Sequence, residues 1–83
     1  MVYHFGDVKV EETTSNMISP EIGTVVFECS SNQVTPFAVT IERRGDRYTN
    51  TAKGLLGQKV ENPQEFDEFL REKAQEVLKK KFE

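Results

Sequence analysis

The stretch Asn62 to Phe82, NPQEFDEFLREKAQEVLKKKF, decides the fold. Phe66, Phe69, Leu70, Ala74, Val77, Leu78 and Phe82 recur at spacings of three and four, which is the period of one helical face. The ends of the stretch agree with that period. Asn62 suits the N-cap, Pro63 suits the first helical position, and Glu65 follows where its carboxylate can reach back to an orphan amide. Acidic side chains gather in the first half (Glu65, Asp67, Glu68, Glu72) and Lys79, Lys80 and Lys81 in the last turn, so both halves complement the helix dipole. Asp67 with Arg71 and Glu76 with Lys80 have the i,i+4 order worth about 0.2 to 0.5 kcal/mol per exposed pair. These charges are expected to form a solvated helix face rather than a cation site, because the alternating oxygen ligands and central glycine of a calcium loop are missing.

A helix with so large an apolar stripe needs a surface to cover it, and the preceding residues read as strands. Val2 to Glu11 is one bent strand or two short ones joined at Gly6. Thr13 to Pro20 reads as a polar connection with Met17 and Ile18 tucked against the core, and Gly23 closes it. Thr24 to Ser30 alternates, with Val25, Phe27 and Cys29 on one face and Thr24, Val26 and Glu28 on the other. After a turn at Ser31, Asn32 and Gln33, Phe37 to Arg43 places Phe37, Val39 and Ile41 opposite Ala38, Thr40 and Glu42. These two segments make an antiparallel hairpin. Arg44, Gly45 and Asp46 form a second tight turn, and Arg47 to Lys53 a polar strand.

The expected fold is therefore α+β: a mostly antiparallel sheet of about four strands (residues 2–60) followed by one C-terminal amphipathic helix (63–82) packed on one sheet face. With 83 residues, the chain is expected to form a single domain spanning 1–83. Such a small domain buries only about 60 to 65% of its unfolded surface, so its six phenylalanines carry much of the core.

Composition narrows the function classes. A net charge of -3, from 14 acidic and 11 basic side chains, gives no global attraction for nucleic acid or an anionic membrane. Cys29 is the only cysteine, which excludes an internal disulfide and a thiolate-rich metal centre and suits the reducing cytoplasm. No signal peptide and no membrane span are expected.

Candidate sites are few. Arg43, Arg44, Arg47 and Lys53, with Tyr48 among them, form a basic cluster around Gly45 that could hold single-stranded nucleic acid through phosphate neutralisation and base stacking. The plainer reading is a charged hairpin that keeps an edge strand soluble. Strand alternation puts Arg47 and Thr49 on one face, Tyr48 and Asn50 on the other. Arg44-Gly45-Asp46 also spells an integrin-recognition tripeptide, but glycine then aspartate is ordinary turn chemistry. Leu55 and Leu56, between Gly54 and Gly57, are either a buried bend or a docking point, while Leu78 and Phe82 are the helix residues placed to reach a neighbouring subunit.

His4 and Cys29 do not form a thiol-imidazole pair on strand parity, and Cys29 is expected to be a small core residue. Whether Asp7, Glu11, Glu12, Glu28 and Glu42 converge across strands is left open by the sequence. No catalytic residue, cofactor site or metal site is assigned, since phosphate loops, zinc spacings and nucleophile elbows are all missing. The expectation is a non-enzymatic interaction module acting through self-association or another protein. The alternative is a single-stranded nucleic-acid-binding protein using the basic hairpin.

Overall fold

The computed structural model describes residues 2–32, 35–51 and 62–82. Five strands, β1 (Val2–Phe5), β2 (Val8–Ser19), β3 (Ile22–Ser30), β4 (Phe37–Arg44) and β5 (Arg47–Asn50), precede one helix, α1 (Pro63–Phe82). The strands form one antiparallel sheet in chain order, β1-β2-β3-β4-β5, so every connection between described neighbours is local. The helix packs on one face, giving the expected two-layer α+β arrangement.

Two glycines set the tightest turns. Gly6 and Gly45 adopt φ of 59° and 62°, and each is the first central residue of a two-residue loop, where a type II′ hairpin turn requires positive φ. Gly6 thus separates β1 from β2, rather than bending a single strand. The β2–β3 turn at Pro20 and Glu21 is held differently, since Ser19 Oγ accepts from the amides of Glu21 (3.3 Å) and Ile22 (3.2 Å). Gly45 N–H then donates to the Glu21 carbonyl at 2.8 Å, tying two neighbouring turns together.

The segment expected to be a polar connection, Thr13 to Pro20, is instead the outer half of β2, and the strand reaches Ser19. Two β-bulges, between Glu12 and Thr14 and between Met17 and Ser19, explain the difference. Each bulge inserts a residue and resets which side chains face the core, so simple alternation fails although pairing continues. Met17 does pack against the core, as expected. Ile18 does not: it is 71% exposed. Gly23, expected to close a loop, lies inside β3, where Met17 and Leu78 close over it.

Val10, Val25, Phe27, Cys29, Phe37, Val39 and Ile41 form the covered face of the sheet. Phe66, Leu70, Ala74, Val77 and Leu78 come down on them from α1. Complete burial of a Val, Leu, Ile or Phe side chain is worth about 1.5 to 3 kcal/mol, so this seam is the main source of cohesion. Aromatic rings thicken it at one end. Phe5 lies 5.1 Å from Phe66 and 5.2 Å from Phe69 between ring centroids, and Tyr3 meets Phe27 and Phe69 edge-on at 6.5 Å. At the helix start, Phe66 N–H donates to the Asn62 carbonyl at 2.9 Å, the first intrahelical bond and the mark of the N-cap position.

Among the described residues, no helix is long and apolar enough to cross a membrane. The strand expected from Arg47 to Lys53 ends at Asn50. The expectations for Ala52 to Val60, including Lys53, Leu55 and Leu56, lie outside the described residues, as does the side chain of Phe82.

Candidate functional site

The basic hairpin is real as a turn but divided as a surface. Arg44 faces Arg47 across β4 and β5, and Arg43 faces Tyr48, so alternation sends the two pairs to opposite faces. Tyr48 packs against the core on the helix side, the face that register also gives Arg43, while Arg44 and Arg47 fall on the other face in register, Arg47 at the β5 edge that borders α1. The expected division of Arg47 and Thr49 from Tyr48 and Asn50 is the one observed. Two of the guanidinium groups already have local work. Arg43 Nε donates to the Gly45 carbonyl at 3.0 Å, and Arg44 Nε donates to Glu42 Oε1 at 2.5 Å, a pairing that raises the Arg44 pKa.

Beside this hairpin, β5 and α1 border an open cleft of about 620 Å³. Its walls carry both signs: Arg47 and Arg71 from one set, Asp46, Glu68 and Glu72 from the other. A phosphate chain entering here would meet carboxylates as well as guanidinium groups, which weakens the electrostatic case made from the sequence. Arg71 Nε also lies 3.1 Å from Asp67 Oδ2. Asp67, expected on the solvated helix face, is only 5% exposed, and its second carboxylate oxygen has no hydrogen-bond partner among the described residues. The i,i+4 pair is therefore present with one member buried, and the helix period accounts for it: Asp67 stands three residues before Leu70, seven before Ala74 and eleven before Leu78, all fully buried. Glu76, expected to pair with Lys80, lies 3.1 Å from Lys73.

Of the acidic side chains of the strands, Glu11 and Glu28 come face to face, and the others go elsewhere. Glu12 points to the helix side, where Lys81 Nζ donates to its Oε2 at 2.6 Å and to Ser15 Oγ at 3.0 Å. Burial would raise the Glu12 pKa, but the hydrogen bonds and charge of Lys81, with Ser15, outweigh it and hold the carboxyl below its ordinary value. The same neighbourhood acts on Tyr3, whose phenol is pushed up by burial and by the charges of Glu12 and Glu76. Glu11 faces Glu28 on the uncovered side and Glu42 is paired with Arg44. Among the described residues there is no group of three or more side chains able to hold a metal ion.

Cys29 is fully buried on the helix side of β3, where burial pushes its thiol up to about 12. His4 is exposed on β1 opposite Lys9, on the other face of the sheet. The two groups do not meet. Leu78, expected to reach a neighbouring subunit, is fully buried in the core of its own chain against the Gly23 region of β3.

The surface that sequence reasoning missed is the outer edge of β2. β1 pairs only with Val8 to Glu11, so among the described residues no strand covers Glu12 to Ser19 on that side. Half of the backbone amides and carbonyls along an uncovered edge point outward and can accept another strand. The second open surface is the sheet face away from α1, where Thr24, Val26 and Thr40 are partly exposed and Glu28 and Ala38 are exposed. The uncharged run Thr13 to Ser19 is the signal in the sequence that could have pointed to this edge. Comparison with protein-family models, with curated proteins and with solved structures gives no match.

Proposed function

We propose that this chain is a non-enzymatic interaction module that acts through self-association or by engaging another protein. One observation carries the reading: the outer half of β2 is an extended strand edge left uncovered, among the described residues, beside a sheet whose second face is also open. Strand addition to such an edge gains main-chain hydrogen bonds without a preformed pocket, so a domain with a small core can bind without a deep cleft. A buried free thiol at Cys29 fits residence in the reducing cytoplasm. Sedimentation velocity over a concentration series, with the chain alone, tests the self-association arm. A weight-average mass that rises with concentration supports it, and a monomer up to high micromolar concentration removes it.

A second reading has one observation in its favour. Arg44 and Arg47 are opposite each other across β4 and β5, with Arg47 also bordering the cleft beside α1, and a backbone phosphate could bridge them. Single-stranded nucleic acid bound there would be released steeply by salt and weakened by Arg47→Ala. Failure of labelled oligonucleotides to bind at low salt ends that reading.

A further inference from the structure

The open edge of β2 is unusual in what it lacks. Edge strands are commonly guarded against pairing by lysines, glutamates or prolines, yet Thr13 to Ser19 carries no formal charge and no proline. Among the described residues its protection is two bulges and the Lys81 ammonium on Ser15 at the helix side, and between the bulges Thr14 to Met17 keeps regular register with β3. The two exposed large apolar side chains among the described residues stand at the two ends of this edge. Val2, 45% exposed, sits opposite Glu11 where β1 stops covering β2, and Ile18, 71% exposed, stands at the outer bulge.

We propose that a second copy of this chain docks on this edge, β2 against β2 in antiparallel register about a two-fold axis at Asn16, so that two sheets join into one. The proposal rests on the interaction-module reading and gives it a partner and a surface. A two-fold contact sets the axial side chain against its own copy and every other against its mirror about the axis, so a charge at the axis would repel its copy and charges beside it would lie close to theirs. This segment has none. Facing residues of an antiparallel pair share a sheet face, so one residue must face itself. Ser15 and Met17 lie on the helix side, where Lys81 already holds the Ser15 hydroxyl and Met17 packs on the core. Asn16 is exposed on the uncovered face, and its amide both donates and accepts, so two copies can bond each other across the axis. Ser15 of one copy then faces Met17 of the other. The regular run is short, so the dimer is weak, roughly micromolar or weaker as for contacts of small area.

The test compares the wild type, Asn16→Lys, Asn16→Asp and an equimolar mixture of the two variants by sedimentation velocity, with thermal melts to confirm folding. The wild type is expected to dimerise, each variant alone to dimerise about fivefold or more weakly from like charges set face to face, and the mixture to recover. Should a variant fail to fold, Ile18→Lys serves in its place, since that side chain is mostly exposed, and it is expected to weaken association likewise. A wild-type dimer that either charge variant leaves unchanged would overturn docking through β2 while the interaction-module reading stands. A wild type that stays monomeric throughout would overturn this proposal and the self-association arm together, leaving engagement of another protein.

Discussion

Replacing Gly23 by alanine tests the packing that holds β2, β3 and α1 together. Gly23 lies within β3, faces Met17 across the ladder and is buried beneath the helix. A Cβ at that position would overlap the Met17 sulfur, stand 3.0 Å from the Asn16 carbonyl oxygen and 3.5 Å from Leu78 Cδ1. The backbone there does not have positive φ, so the substitution is not strained in itself. Overfilling a packed site costs typically about 1 to 3 kcal/mol. The alanine also reduces the freedom of the unfolded chain, which returns about 0.4 to 1 kcal/mol. A net loss of about 1 to 2 kcal/mol is therefore expected, a fall in Tm of roughly 5 to 15 °C for a domain of this size. Met17→Ala alone should cost about 1 to 2 kcal/mol, less than a fully buried methionine, because the side chain is only half-buried. The two changes should not add. Once the thioether is gone the alanine at position 23 has room, and the double-mutant cycle should show a favourable coupling of about 1 kcal/mol or more. Urea unfolding of all four proteins measures it. A Gly23→Ala change that stabilises, or that costs as much in the Met17→Ala background as in the wild type, would refute the contact.

Three other outcomes follow from individual residues. The Glu12 carboxyl is held below its ordinary 4.5, so its contribution to stability is complete above that value and is lost as pH falls through the lower folded value; acid titration of unfolding should show the loss below about pH 4.5. Lys81→Ala should leave Glu12 short of its cation and cost up to about 1 kcal/mol near neutral pH, since the lysine is half exposed to solvent, with the acid limb flattened. Cys29, fully buried and raised from 9.0 to about 12, should label with a thiol reagent at least about a thousandfold more slowly in the native protein than in denaturant.

The helix was legible because its signal is local: an apolar period of 3.6 between an asparagine cap and a lysine-rich end needs nothing from the rest of the chain. β3 and β4 were legible for the same reason, since Val25, Phe27 and Cys29 alternate without interruption, as do Phe37, Val39 and Ile41. β2 was legible only as far as Glu11. Its bulges break the alternation, and its outer half can be polar on the open face and uncovered at the edge, so Thr13 to Ser19 lacks the apolar period that marks a buried strand. The division of the basic hairpin between two faces followed from parity alone, but the carboxylates of Glu68 and Glu72 beside it come from a helix some twenty residues away. The gap that β1 leaves along β2 likewise depends on which elements meet in space, whereas the burial of Asp67 was readable from its place in the apolar period of α1. The proposed function rests on the β2 edge, and a sequence pattern does not encode that edge.

Amide hydrogen exchange, followed residue by residue at low and high protein concentration, tests most directly whether the open edge of β2 is the place of association. Protection of Thr13 to Ser19 should rise with concentration while β5 and the middle of α1 stay unchanged. Exchange along β2 that is independent of concentration, or protection that grows on β5 or α1 instead, would contradict it.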